Sequence, residues 1–207
     1  MRVSDARRRV ALAGGAVFAA AAFWPAPAEA HLVTTGLGPI YDGISHVLMS
    51  PDDLVPILAM AFLAGLNGPA AGRRTLFALT VAWFAGGVAG FYSSQSLVPG
   101  AAAAMSFLVL GGLTAADWRL SPGIVTALAV VVGMLHGWLN GAGIAESQRE
   151  LLGLVGIASV VFVLVALASA FVVSLRAAWT RIAVRVAGSW IAAIGLLMLG
   201  WNLRGGV

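Results

Sequence analysis

Long apolar segments, separated by short polar connectors, follow one another along the chain from residue 54 to residue 203. A helix needs about 20 largely apolar residues to cross about 30 Å of hydrocarbon. Six segments meet that requirement: Leu54–Gly72, Arg74–Tyr92, Pro99–Ala116, Pro122–Gly141, Leu151–Leu175 and Ile182–Leu203. The pattern therefore predicts an all-α, polytopic membrane bundle of six transmembrane helices, with no room for a second domain.

Residues 1–30 have the pattern of a secretory signal peptide. A basic start at Arg7–Arg9 precedes an apolar stretch, and Ala28 and Ala30 supply the small-x-small pattern that signal peptidase needs. We expect cleavage after Ala30, which leaves residues 31–207 as the six-helix transmembrane domain. An uncleaved first membrane helix is the alternative.

The segment 31–50 differs from the rest of the predicted mature chain because it is half polar and rich in glycine. Such a segment is too interrupted to span a bilayer, where every backbone polar group needs an internal partner. We expect it to lie at the outer surface, or to dip into that surface, ahead of the first span.

Arginine placement indicates how the bundle is oriented. If the mature N terminus is outside, six connector arginines are inside (Arg73, Arg74, Arg119, Arg176, Arg181 and Arg185) and two are outside (Arg149 and Arg204). Cytoplasmic loops carry an excess of Lys and Arg, and a signal peptide independently places the N terminus outside. We therefore expect a protein of the bacterial inner membrane with a periplasmic N terminus.

Composition agrees with a membrane protein and excludes several other classes. The chain is 60% hydrophobic and 10% charged, with a mean hydropathy of +0.97, whereas soluble domains have about 25% charged residues. It has no cysteine, which excludes a disulfide scaffold. Its predicted mature part has no dense basic cluster, so we expect a lipid bilayer and no nucleic acid as its partner.

Pairs of glycines four residues apart occur in two of the predicted spans, at Gly86 and Gly90 and along Gly133, Gly137 and Gly141. This spacing lets helix backbones approach closely. Packing within one bundle uses the same spacing as dimerisation, so the pattern leaves the oligomeric state open.

The three histidines are the candidate metal ligands, since imidazole suits nickel, cobalt, copper and zinc. The predicted topology gathers His31, His46 and His136 in the outer half of the protein. An ionisable group inside a span is costly and by default indicates function, and for His136 we name His46 and Asp42 as partners. The alternative is a neutral His136 hydrogen-bonded to a carbonyl group or to Asn140, which shares its helix face at the i, i+4 spacing.

The run Ser50-Pro51-Asp52-Asp53 is interpreted first as a helix start. Serine is a preferred N-cap, proline suits the first helical position, and acidic residues suit the positive first turn. That role does not exclude a second one in attracting cations, so Asp53 is also a candidate ligand. The sequence shows no hydrolase elbow, phosphate-binding loop or CxxC site, and we predict neither catalysis nor a tightly bound cofactor.

Two short stretches resemble the signatures of the HupE/UreJ family, the hydrogenase- and urease-linked nickel permeases. The first signature reads approximately H-P-x-x-G-x-D-H-x-x-x-M. The chain matches it at Gly43, His46 and, one position early, Met49, whereas Ser45 replaces the aspartate and Pro39 the first histidine. The second reads approximately H-G-x-A-H-G-x-E. It is matched at His136, Gly137 and Gly141, with Asn140 in place of the second histidine and Gly143 in place of the acid.

This resemblance implies a membrane permease for a divalent transition metal, nickel or cobalt. Copper is the other candidate ion, because a chelate by a terminal His31 would favour Cu(II) on affinity order. We expect capture at the periplasmic face by six residues: His31, Asp42, His46, Asp53, His136 and Asn140. Metalloenzyme-maturation proteins are the partners that the resemblance suggests. Because the inner half of the predicted bundle offers mainly hydroxyl donors such as Ser106 and Thr114, a non-transporting metal-binding or delivery subunit is an alternative. A purely structural subunit is another.

Overall fold

The computed structural model describes residues 35–93, 100–147 and 150–204, and these ranges are helical without a strand. Within these ranges seven helices follow one another: α1 (Pro39–Met49), α2 (Pro51–Leu66), α3 (Pro69–Phe91), α4 (Gly100–Ala116), α5 (Pro122–Glu146), α6 (Gly153–Ser174) and α7 (Ala178–Leu203). The predicted all-α class is confirmed. The predicted signal peptide and His31 lie outside the described residues.

Four of these helices, α3, α5, α6 and α7, are long and apolar enough to cross a membrane. Helices α1 and α2 pass the same test only as a pair, bent by 74° at their junction, which makes them a broken span or a re-entrant loop. Helix α4 is apolar but has only 17 residues. The described part of the chain therefore shows a membrane protein with four or five candidate spans, and the count of six stays a prediction.

The boundaries predicted for the first span need correction at its C-terminal end. The sequence predicts one span over Leu54–Gly72, but α2 ends at Leu66 and α3 begins at Pro69. Between them Gly68 has a φ of 99°, a left-handed conformation that suits glycine. Proline then starts the next helix, where its missing N–H costs nothing. The predicted first span thus includes the first turn of α3.

Glycines bring α3 and α5 into backbone contact. A Cβ atom at Gly137 would collide with the backbone carbonyl of Trp83, and one at Gly141 would collide with that of Gly87. On the facing helix, Gly90 lies equally close to the backbone of Trp138. The predicted close approach at these glycines is confirmed within the chain, and it fixes the depth of Trp83 beside His136.

Helix α1 is held against α6 in the same way. A Cβ atom at Gly43 would meet the backbone carbonyl of Gly153, and one at Gly156 would meet that of Ile40. Gly43 is also the glycine of the first signature. Its packing fixes the position of the following turn of α1, which contains His46.

Helix α2 lies inside the bundle, packed against α3, α4 and α6. Most of its residues are buried, including the apolar Ile57, Met60 and Leu63, which have no exposed surface. Asp53 lies near the start of α2 and is the only buried charged side chain among the described residues. The core therefore surrounds one carboxylate.

Candidate metal-binding site

Asp53 lies in the first turn of α2 with only 4% of its surface exposed. Its Oδ2 atom is 3.2 Å from Nε2 of His46, and its Oδ1 atom is 3.8 Å from Nδ1 of His136. The side-chain amide of Asn140 donates to both carboxylate oxygens, at 3.0 and 2.9 Å. We call these four residues the carboxylate cluster.

The bend between α1 and α2 places His46 beside Asp53. Ser50 is extended at the bend (φ −101°, ψ 102°), and Pro51 starts α2 as the sequence predicts. Ser50 occupies the N-cap position, but its side chain makes no capping hydrogen bond. Its Oγ atom lies instead 3.4 Å from Nδ1 of His46. The helix start and the cluster thus use the same residues, so the position of Asp53 in the first turn of α2 is compatible with its contacts to His46 and His136.

Asn140 has its orientation set by Trp83. The indole Nε1 atom of Trp83 lies 2.9 Å from Oδ1 of Asn140, and an indole N–H can only donate. The amide oxygen must therefore face Trp83, which leaves the NH₂ group for the acceptor oxygens of Asp53. In this arrangement Asn140 holds the carboxylate, and its own oxygen is already occupied.

His136 is enclosed on α5 with 1% of its surface exposed. Its ring stacks on Trp83 at a centroid distance of 5.4 Å and an interplanar angle of 23°. Its Nε2 atom lies 2.9 Å from Oγ of Ser106 on α4. Residues of three other helices, Asp53 of α2, Trp83 of α3 and Ser106 of α4, therefore surround this imidazole.

Four of the six predicted site residues, His46, Asp53, His136 and Asn140, meet in the cluster. Asp42 was predicted as a partner of His136, a role that the structure gives to Asp53. Asp42 lies in the first turn of α1, one turn before His46. Its carboxylate accepts hydrogen bonds from the backbone N–H and the hydroxyl of Thr35, at 2.6 and 2.7 Å.

Sequence reasoning missed the contributions of Trp83 and Ser106. Ser106 was assigned to the inner half of the bundle, but it lies at the depth of the cluster because it contacts His136. The signal that could have identified it is its isolation, since it is the only hydroxyl residue between Gly100 and Val109. For Trp83 the sequence offers no comparable signal.

Within the three described ranges no group of three or more His, Cys, Asp or Glu side chains is arranged so that it could hold a metal ion. In this structure Asn140 and His46 occupy the oxygens of Asp53. A buried carboxylate needs such partners, since an unpaired buried charge is strongly destabilising. An entering cation would replace part of this hydrogen bonding.

A family model described as "HupE / UreJ protein" matches residues 18–198 of the chain. The chain belongs to the HupE/UreJ family. The family indicated by the two signatures is thereby confirmed, and HupE/UreJ proteins are membrane accessory and transporter-type proteins rather than enzymes. Searches among curated proteins and among solved structures found no match. Family membership thus indicates a metal transporter-type membrane protein, and the cluster is its candidate site.

Proposed function

We propose that this HupE/UreJ protein is a permease for a divalent transition metal, nickel or cobalt, and that the carboxylate cluster captures the ion. The observation that supports this most directly is the contact of one buried carboxylate, Asp53, with the imidazoles of His46 and His136. These side chains come from three different helices, so their convergence is a property of the fold.

The donor types suit the proposed ions. Imidazole nitrogen binds nickel, cobalt, copper and zinc, and a carboxylate adds a harder oxygen donor and a negative charge. Ligands bind a metal in their deprotonated forms, so binding releases protons. We therefore expect the ion to compete with the proton that lies between Asp53 and His46, whose Oδ2 and Nε2 atoms are 3.2 Å apart.

Four other residues, Asn140, Trp83, His31 and Asp42, have supporting roles in this proposal. Asn140 and Trp83 orient the carboxylate, as outer-shell partners do in other metal sites. His31 and Asp42 are proposed to guide the ion toward the cluster from the periplasmic face. That face is the one assigned to His31 by the predicted signal peptide and arginine distribution.

Flux through purified protein in sealed vesicles tests the proposal. We expect vesicles with the wild-type protein to accumulate nickel or cobalt, and vesicles with His136→Ala or His136→Gln to lose most of that flux. His136→Gln keeps a side chain of similar bulk and so separates loss of a ligand from loss of packing. Equal flux in wild type and both variants would overturn the proposed role of His136.

Metal binding or delivery without transport is the second candidate function. It is favoured by the surroundings of α2 beyond the cluster, where Ile57, Met60 and Leu63 are fully buried and apolar. An ion needs polar groups to replace its hydration shell along a path. A protein that binds nickel yet moves none into sealed vesicles would support delivery to a metalloenzyme-maturation partner.

A further inference from the structure

We infer that Ser106 is a positioning residue that fixes the tautomer of His136, so that Nδ1 is the ring nitrogen that binds the ion. The binding of an ion rests on the proposed function, whereas the tautomer follows from the contacts of the metal-free protein.

The first step is the direction of the hydrogen bonds at Ser106. Its Oγ atom lies 2.7 Å from the backbone oxygen of Ala103 and 2.9 Å from Nε2 of His136. A hydroxyl has one hydrogen to donate, and a carbonyl oxygen can only accept. The hydroxyl hydrogen therefore belongs to the bond with Ala103. What remains for the imidazole is an oxygen lone pair, so Nε2 must carry a proton.

The second step concerns the other ring nitrogen. When Nε2 of a neutral imidazole is protonated, Nδ1 carries the lone pair. Here Nδ1 of His136 faces Oδ1 of Asp53 at 3.8 Å, which exceeds the length of a hydrogen bond. Two electron-pair donors thus face each other. A cation between them would turn this unfavourable pairing into a favourable one. Two donors that bind one first-row ion, each at about 2 Å, lie at most about 4 Å apart, so this separation is within reach of a single ion.

The third step is that Ser106, rather than Trp83, decides the tautomer of His136. Trp83 stacks on the face of the His136 ring, and that contact is compatible with either position of the proton. Among the described residues, Ser106 alone contacts Nε2 and can accept its hydrogen. Without it, the ring would gain more by placing its proton on Nδ1, where the charged Asp53 carboxylate could accept it.

The first test is nitrogen-15 NMR of histidine-labelled, metal-free protein in detergent at pH 8. Protonated and unprotonated ring nitrogens resonate far apart, and the signals of His136 are identified by their absence in His136→Gln. We expect the Nε2–H form in the wild type and in Ser106→Thr, which keeps the hydroxyl. We expect a shift toward the Nδ1–H form in Ser106→Ala.

Two features of the protein make the comparison specific. Ser106 lines a cleft of about 430 Å³ between α4 and α5, which leaves room for the added methyl group of threonine. Ser159→Ala removes a hydroxyl that bonds only within α6, to the oxygen of Val155 at 2.7 Å, and should leave the spectrum of His136 unchanged. A wild-type ring in the Nδ1–H or the doubly protonated form would overturn the inference, as would an unchanged tautomer in Ser106→Ala.

The second test is calorimetric titration with nickel. Loss of an outer-shell partner weakens metal binding by about ten- to hundred-fold, so we expect that loss in Ser106→Ala, with near wild-type affinity in Ser106→Thr. Equal affinity in Ser106→Ala and the wild type would contradict the assignment of Nδ1 as the ligand. If the wild type bound no nickel at all, the proposed function would fail, while the NMR experiment would still decide the tautomer.

Discussion

At the level of single residues, the site depends on how one buried charge is compensated. Asp53 is surrounded by an amide and two imidazoles, and an ionised carboxylate in this environment is stable only with such partners. The partners are themselves held, since Trp83 fixes Asn140 and Ser106 contacts His136. Small changes in these outer residues should therefore alter metal binding without removing a ligand.

Trp83→Phe tests this control of the carboxylate. Phenylalanine keeps an aromatic ring beside His136 but has no N–H group to hold the oxygen of Asn140. The amide can then rotate away from Asp53, and we expect nickel affinity to fall by about ten-fold in calorimetric titration. The matched control is Trp190→Phe, because Trp190 is 70% exposed on α7. Wild-type affinity in Trp83→Phe would show that the indole N–H has no role.

The sequence could identify the histidines of the site but not its centre. His136 stands out because polar residues are rare in apolar segments, and His46 because the chain has only three histidines. Asp53 is less conspicuous, since an acidic residue after Ser-Pro is also explained by a helix start. The convergence of α1, α2 and α5 that makes Asp53 the shared partner is a tertiary feature, and local spacing does not contain it.

At the level of helices, the bent α1–α2 pair positions the site. The bend leaves α1 dependent on α6 for support, through the close contacts of Gly43 and Gly156. His46 lies three residues after Gly43, almost one helical turn away. The position of one imidazole is thus coupled to glycine packing about one turn earlier on the same side of α1.

Gly43→Ala tests this coupling. The added methyl group would collide with the backbone of Gly153, and overpacking of this kind costs about 1–3 kcal/mol. We expect a lower midpoint of thermal unfolding in detergent, together with weaker nickel binding. Gly143→Ala is the control, because nothing lies within 4 Å of the Cβ position at this helical glycine. Its unfolding midpoint should stay the same or rise, since alanine favours helix over glycine. A Gly43→Ala protein as stable as this control would contradict the packing argument.

The two boundaries of α2 show how far turn residues in the sequence predict where a helix begins and ends. The Ser50-Pro51 break was predicted correctly because the proline fixes the start of α2. The break after Leu66 was placed too late, although Asn67-Gly68-Pro69 is a strong turn signal. Apolar residues lie on both sides of that turn, so the hydrophobic pattern alone predicts one continuous segment across it.

For the molecule as a whole, the orientation of α5 decides which face of the membrane the cluster occupies. Helix α5 runs from one end of the bundle to the other. Ser121 caps its start, and Ser147 follows its end. His136 lies nearer to Ser147. The arginine distribution predicts that the Ser147 end is periplasmic and the Ser121 end is cytoplasmic.

Single-cysteine labelling tests the orientation without background, because the chain has no cysteine. Ser121 and Ser147 are both exposed, so each can be replaced by cysteine. We expect a membrane-impermeant maleimide to label Ser147→Cys but not Ser121→Cys in cells with a permeabilised outer membrane. In inverted inner-membrane vesicles the two results should exchange. The opposite labelling pattern would place the cluster on the cytoplasmic side and remove periplasmic capture.

Nickel titration of two adjacent carboxylate variants tests the proposed metal site most directly. Asp53→Asn keeps the shape of the buried side chain but removes its charge, whereas Asp52→Asn does the same at an exposed neighbour. We expect wild type and Asp52→Asn to bind nickel with similar affinity, and Asp53→Asn to bind at least ten-fold more weakly, since a metal ligand contributes no less than its outer-shell partners. Equal nickel affinity in all three proteins, or no nickel or cobalt binding by the wild type, would contradict the role assigned to the carboxylate cluster.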